Sequence, residues 1–386
     1  MSVVAESTEL SKEELRAAQK RAAGPWLNAW HDTVANVKAF SPCVRLADLN
    51  ATGEYLLLIA DADKKLKVYK GTSLASEHAL LDVPSALAIF YTDLNKPQTP
   101  SVAVAAGSYI FIYRNLRPYY KFTLPPVDIE QGELDIWAAL RAGKMEVTAA
   151  VEQLSEARDT GVQLSTRSIN LLSLGENRSE QESFVHAQKN LPLVQLTVAT
   201  CMETLNKNMA GERAVSSLVV GTESRHILIM EPSGTSVHKK FLLPSVPVFL
   251  AVQGTLDVEY RIVAACRNGN IYQIKKGKVL GTVLELETQA CGLVLLDKSL
   301  LVGCMDGCVH SFHFKGKKNY TLYLPDAISN MELLKLTRIK NQRALIVSLA
   351  NGEIRLYNKK VSLDTILTMP SFSIFCACVR GACAML

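Results

Sequence analysis

The chain has 386 residues, 48% of them hydrophobic and 20% charged, with a formal net charge of +5. A large core is therefore available, and the charge is too mild to imply nucleic-acid binding. Nine cysteines scattered from Cys43 to Cys383 exclude a disulfide-built secreted domain and favour a reducing, cytoplasmic compartment.

The N-terminus, MSVVAESTELSKEEL, is polar and has no signal-peptide core. Ser11 with Glu14 fits a capping box that opens a short helix to about Ala23, so residues 1–24 read as a helical arm. The N-x-[ST] sequons at Asn50, Asn177 and Asn319 would matter only in a secreted chain. The longest apolar stretch, Phe241 to Val252, carries Pro244 and Pro247 and is too short to span a bilayer.

From residue 43 a unit recurs: an apolar strand, a tight polar turn and a second apolar strand. It reads EYLLLIADADKKLKVYKG (54–71), SVAVAAGSYIFIYRN (101–115), VSSLVVGTESRHILIMEP (215–232), RIVAACRNGNIYQIKKG (261–277), LLVGCMDGCVHSFHFKG (301–316) and ALIVSLANGEIRLYNKK (344–360). Asn268-Gly269, Asp306-Gly307 and Asn351-Gly352 predict two-residue type I′ hairpins, with positive φ at both centre positions. A short strand ending in proline follows, to Pro84, Pro125, Pro244, Pro325 and Pro370; Pro84 to Pro125 is 41 residues and Pro325 to Pro370 is 45. Each unit also has a leading apolar strand, such as ALAIFYT, PVFLAVQ or CGLVLL. Four strands every ~40–45 residues is the blade period of a β-propeller.

Pro125 to Pro244 spans 119 residues, too long for one blade. Residues 126–192 lose strand character, and Leu134, Trp137 and Leu140, then Val147, Val151 and Leu154, follow helical spacing. Gly143 and Asp159-Thr160-Gly161 divide this insertion into two or three helices. The expected fold is all-β with a helical insertion at about 126–192. Blades one and two occupy 25–125, blades three to six 193–370, and 371–386 forms a partial seventh. In that seventh, SFSIFCACV (371–379) reads as a leading strand.

Candidate chemistry is sparse. Cys304-x3-Cys308-x-His310-x2-His313 has zinc-like content, but strand alternation puts His313 on the opposite face and Cys304 lies across the turn, so no metal is expected. Asp48-x-Asn50-x-Thr52-Gly53-Glu54 starts like a calcium loop, yet Leu56 and Ile59 hold its later ligand positions, which favours a plain turn. No nucleotide-binding or nucleophile motif occurs. The leading strands are largely apolar, so no catalytic residue and no cofactor is expected. The competing reading, a propeller enzyme acting on a small ligand in the central channel, needs carboxylates or histidines converging on those strands.

Charge placement says more. Lys70, Arg114, Lys239-Lys240, Lys275, Lys276, Lys278, Lys315, Lys317, Lys318, Lys359 and Lys360 follow the third strands and predict a basic face. The second-to-third turns, with Asp61, Asp63, Lys64, Lys65, Glu223, Arg225, Arg267, Asp306 and Glu353, predict a mixed opposite face. Strand-end lysines can act simply as guards against edge aggregation. They can also form a surface for an acidic partner or an anionic membrane.

NLRPYYKFTLP (115–125), LPSVPVFLAVQG (243–254), DVEYRIVAACRNGNIY (257–272) and LANGEIRLY (349–357) closely resemble the Bardet–Biedl syndrome 1 family of BBSome subunits. LADLNATGEY (46–55), Trp26-Leu27 and HFKGKK (313–318) agree, so the resemblance covers roughly residues 25–375. It implies a seven-bladed propeller, interrupted by helices, that a GTP-loaded Arf-like small GTPase binds and recruits to membranes at the cilium. It also implies other BBSome subunits and ciliary membrane-protein cargo as partners, and a location spanning cytoplasm, cilium, ciliary membrane and basal body. The GTPase is expected around the first and last blades, and Asp61, Asp63, Lys64 and Lys65 of the mixed face are candidate partner-binding residues. IFCACVRGACAML (374–386) departs from the family, in which the seventh blade continues into a helical linker and an ear-like β-sandwich. Part of the GTPase surface is therefore expected to be missing.

Overall fold

The structure is a computed structural model that describes residues 36–358 apart from 163, 176, 297 and 337–341, together with 361–368, 376–379 and 382–385. The predicted arm with Ser11 and Glu14, and also Lys359, Lys360 and Pro370, lie outside the described residues.

Six antiparallel units of four strands follow one another. Blade one is β1 (Val44–Ala47), β2 (Leu56–Asp61), β3 (Lys65–Lys70) and β4 (Ser73–Ala79), and blade two is β5 (Pro84–Phe90), β6 (Ser101–Ala106), β7 (Tyr109–Arg114) and β8 (Arg117–Thr123). Blade three is β9 (Ala199–Asn206), β10 (Ser216–Thr222), β11 (His226–Met230) and β12 (Val237–Leu242). Blade four is β13 (Pro247–Thr255), β14 (Glu259–Cys266), β15 (Asn270–Lys275) and β16 (Lys278–Glu285). Blade five is β17 (Ala290–Leu296), β18 (Ser299–Cys304), β19 (Cys308–His313) and β20 (Lys318–Tyr323). Blade six is β21 (Ile328–Leu336), β22 (Gln342–Leu349), β23 (Glu353–Asn358) and β24 (Val361–Thr368), and a hairpin of β25 (Cys376–Val379) and β26 (Ala382–Met385) follows.

The leading strands stand side by side around an axis: β1 by β5, β5 by β9, β9 by β13, β13 by β17 and β17 by β21. β26 then lies beside both β21 and β1, so a two-stranded hairpin takes the seventh position of the ring. The inner strand there is Ala382–Met385, not the predicted 371–379, within which Cys376–Val379 forms the hairpin's other strand.

Strand alternation explains how the ring holds together. In β10, Leu218 and Val220 face blade two, joining Phe90, Ile110 and Ile112, while Val219 between them faces blade four with Ile262 and Ala264. In blade four the next residue, Val263, faces the other way and packs with Leu300 and Val302 of blade five. Leu301 then turns to Leu345 and Val347 of blade six. Each central strand therefore buries both faces between neighbouring sheets, and each such aliphatic side chain contributes about 1.5–3 kcal/mol. The fourth strands, by contrast, are mostly exposed, as in β8.

Two local devices time the repeat, and both differ from the sequence expectation. The hairpins at Asn268-Gly269, Asp306-Gly307 and Asn351-Gly352 are three-residue turns with positive φ at the glycine alone. The glycine N–H closes the turn onto Cys266, Cys304 or Leu349, and the Asn or Asp carboxyl or amide oxygen accepts the N–H two residues on. The prolines do not end the fourth strands. Leu124, Leu243 and Leu324, just past β8, β12 and β20, donate N–H to the turn carbonyls of Ser108, Arg225 and Gly307, and proline follows as the chain leaves. In blade one Leu80 makes that bond to Lys64, and Pro84 instead opens β5.

The insertion between β8 and β9 holds four helices, not two or three: α1 (Gln131–Arg141), α2 (Val147–Asp159), α3 (Thr166–Ser173) and α4 (Arg178–Gln188). They share a core of their own around Ile136, Trp137, Leu154, Leu171 and Val185. The buried Glu133 carboxylate accepts hydrogen bonds from the Ser165 N–H and from the Ser165 and Ser168 hydroxyls, tying α1 to the start of α3. The two chain crossings meet at a Val127–Gln195 bridge.

Candidate partner-binding faces

Antiparallel order decides which residues share a face of the disc. Second-to-third turns emerge on the side from which one blade connects to the next, so they share that side with the root of the helical insertion. First-to-second and third-to-fourth turns share the other side.

On the first side, the blade-one turn runs from Asp61 to Lys65. Asp61 is wholly buried: Oδ2 takes the Lys67 ammonium at 2.5 Å, and Oδ1 accepts the N–H groups of Lys38 and Asp63 at 3.2 and 3.3 Å. This corrects its assignment as a contact residue, because a strand-end carboxylate that caps its own turn has no surface left to offer. Asp63, Lys64 and Lys65 are exposed, with Lys64 3.8 Å from Asp82 and Lys65 2.7 Å from Glu77. Lys64 (φ 61°) and Arg225 (φ 64°) hold the left-handed position that glycine holds in blades four to six. Farther round, Arg267 forks onto Glu223 of the neighbouring blade at 2.6 and 2.8 Å, and this hydrogen-bonded pairing raises the guanidinium pKa.

On the other side, blades four and five bring their turns together. A Cβ on Gly316 (φ 89°) would fall 2.7 Å from the Val283 carbonyl oxygen, so the β19–β20 turn lies against β16. Arg261 stacks over Phe314 with its guanidinium carbon 3.8 Å from the ring centre. Lys275 pairs with Glu259 at 3.2 Å, while Lys276, Lys278, Lys315, Lys317 and Lys318 are exposed. Lys239 and Lys240 differ from expectation: they sit within β12, paired with Ile229 and Leu228, and belong to the outer rim. Asp48 closes a turn by accepting the Thr52 and Gly53 N–H groups at 3.0 and 2.9 Å, and also meets Arg213 at 3.3 Å.

Two places bear on the enzyme reading. In the channel, Arg45 of β1 reaches Glu203 of β9 at 3.8 Å, and burial followed by the Glu332 charge holds the Glu203 pKa up against Arg45. The apolar look of the leading strands concealed this group, whose members lie far apart in sequence and meet only across the axis. It brings together two carboxylates and a guanidinium, with no nucleophile or histidine among the named groups. At the root of the insertion, a cleft of about 70 Å³ is lined by Asp128, Ser224, His226 and Lys240 among others. His226 Nδ1 is 3.1 Å from Ser224 Oγ, and burial, then Lys240, lowers its pKa. That volume falls well below the roughly 300–1,000 Å³ of small-molecule sites. The cleft is a seam between stem and blade.

No helix among the described residues is long and apolar enough to cross a membrane. What the molecule offers is two broad faces and a projecting helical unit, the geometry of protein recognition.

Residues 26–275 match the family of ciliary BBSome complex subunit 1. The BBSome complex member BBS1 of Mus musculus is 40% identical over 358 residues, covering 91% of this chain and 60% of that protein. Its Homo sapiens counterpart is 40% identical over 367 residues, covering 93% and 61%. The crystal structure of BBS1N in complex with ARL6DN, soaked with mercury, matches with a TM-score of 0.73 at 39% identity, over 91% of this chain and 89% of that one. The chain spans about 60% of the length of the curated relatives it matches. It belongs to the ciliary BBSome complex subunit 1 family.

Proposed function

We propose that this chain is the propeller portion of a BBSome subunit that a GTP-loaded Arf-like small GTPase recruits to the ciliary membrane. There the assembled complex carries membrane-protein cargo to and from the cilium, working between cytoplasm, basal body and ciliary membrane. The observation that carries this reading is the likeness, over 91% of this chain, to a BBS1 fragment crystallised with ARL6DN. Asp63, Lys64 and Lys65 are the blade-one residues assigned to the GTPase; Lys64 keeps a left-handed backbone that glycine would adopt more cheaply. The helical insertion, rooted on the same side, is assigned to other BBSome subunits.

Capture by an immobilised Arf-like GTPase loaded with GTP or GDP tests it. GTP-dependent capture is expected, weaker for this chain than for a version whose seventh position carries four strands. Lys64→Glu with Lys65→Glu should lower capture and flatten its salt dependence. Failure of both versions to bind the GTP form would remove the recruitment role.

The lysine cluster of blades four and five supports a second contact, with anionic lipid. Lysines near a charged membrane contribute roughly 1 kcal/mol each. Reversing Lys276, Lys278, Lys315 and Lys317 to glutamate should weaken binding to phosphatidylserine vesicles by more than about 100-fold at low salt, and wild-type binding should fall at high salt. Equal flotation of wild type and variant would leave the lysines as guards of the sheet edge.

A further inference from the structure

The second-to-third hairpin of blade five carries ligand-type side chains that partner recognition does not use. Val302 pairs with His310 and Gly303 with Val309, so Cys304 stands opposite Cys308. Alternation then places Cys304 and His310 on one face as diagonal neighbours. Asp306 caps the turn between them, its Oδ1 accepting the Cys308 N–H at 2.9 Å. The result is one thiol, one carboxylate and one imidazole whose ligand atoms all lie within 4.8 Å of one another. Its place across the turn is what brings Cys304 to His310. His313 stays outside the group and accepts the Lys315 N–H.

We propose that Cys304, Asp306 and His310 form a binding site for a divalent cation of borderline softness, Zn²⁺ first among them. Bonds of about 2.0–2.3 Å put tetrahedral zinc ligands roughly 3.3–3.8 Å apart, so atoms already within 4.8 Å of one another need to close by at most about 1–1.5 Å. Asp306 is exposed and can supply that movement, whereas Cys304 is buried and fixed. The His310 ring is already oriented, with Nδ1 3.0 Å from Thr321 Oγ1, which leaves Nε2 for the cation, the outer-shell arrangement common to zinc-bound histidines. Cys308 lies outside this group, which leaves the fourth position of the tetrahedron to water. Binding replaces the Cys304 thiol proton, which leaves to solvent, and the cation joins the two strands across their turn.

The test uses the reduced, chelator-stripped 386-residue chain with Cys376, Cys378 and Cys383 changed to serine, titrated with Co²⁺ and then with Zn²⁺. A thiolate-to-cobalt charge-transfer band that saturates at one equivalent and is bleached by Zn²⁺ is expected. Cys304→Ser should abolish the band, and Asp306→Asn and His310→Gln should each weaken Co²⁺ binding by at least about 10-fold. Thr321→Val should weaken it about 10- to 100-fold, and His313→Gln should leave it unchanged. Asp306→Asn keeps the turn's oxygen acceptor, so it remains informative if Cys304→Ser does not fold. The site is overturned by absence of the band in the parent chain, by its survival in Cys304→Ser, or by unchanged affinity in both Asp306→Asn and His310→Gln.

Discussion

Lys67→Met is expected to cost about 3–5 kcal/mol of stability, because it leaves the wholly buried Asp61 carboxylate without its counter-charge. The two N–H groups on Oδ1 remain, but no cation replaces the ammonium on Oδ2. Pairing Lys67→Met with Asp61→Asn should recover more than half of the loss, since a neutral amide still accepts those N–H groups and no charge stays buried. The hydrogen bond to Asp61 raises the Lys67 pKa above the ordinary lysine value, while burial opposes the rise. A raised folded pKa means that the pair's contribution is fully present below about pH 10.4 and is lost as pH climbs through the folded value. Urea unfolding of wild type should therefore weaken in that alkaline window, and the step should vanish in Lys67→Met. Wild-type stability in the variant at neutral pH would show that the carboxylate is not held as described. The same pair anchors the turn that presents Asp63, Lys64 and Lys65. Neutralising the two exposed lysines, Lys64→Gln with Lys65→Gln, should accordingly lower GTPase capture at a stability cost far below that of Lys67→Met, since only their exposed pairs with Asp82 and Glu77 are lost.

The ring was legible because its cause is local. Two apolar strands around a tight polar turn need only a few adjacent residues, and six such hairpins at one period, three of them turning at Asn-Gly or Asp-Gly, leave little choice of architecture. The turn class differs from the sequence expectation because Asn and Asp favour two solutions, and the Asx hydrogen bonds at Asn268, Asp306 and Asn351 select the three-residue one. Pro84 deceived because proline suits the first position of a strand as well as the exit from one. Lys239 and Lys240 deceived because β11 has five residues and the Glu231–Ser236 turn is longer than its counterparts, which moves the lysines into the ladder. Asp61 reads as a surface residue in any polar turn; only the Lys67 two positions into the next strand removes it from solvent. Arg45 and Glu203 meet across the channel and carry no signal at fixed sequence spacing, whereas Cys304 and His310 are visible in the sequence as a zinc-like run and only the hairpin register shows that they share a face. The first of these needs the closed ring before it exists at all.

Trp137→Ala should unfold the helical insertion while leaving the blades standing. The indole is nearly fully buried, its Nε1–H donates to Ser168 Oγ at 2.8 Å, and the Arg167 guanidinium lies over the ring at 5.1 Å. Truncating it costs about 3–5 kcal/mol, a large fraction of what four short helices can supply. Arg167 also donates to the Leu191 and Pro192 carbonyls and Arg141 to that of Lys189, so the strap back to β9 should loosen with the helices. The interblade cores contain none of the insertion's residues, and the two units meet at the Val127–Gln195 bridge. Hydrogen exchange should therefore accelerate by orders of magnitude across Gln131–Gln188 and stay slow in β10 and β14, with Trp137→Phe in between. GTPase capture by blade one should survive, whereas contacts assigned to other subunits should be lost. Uniform acceleration through both units would mean that the insertion and the ring fold as one, and the separation of their partners would no longer follow.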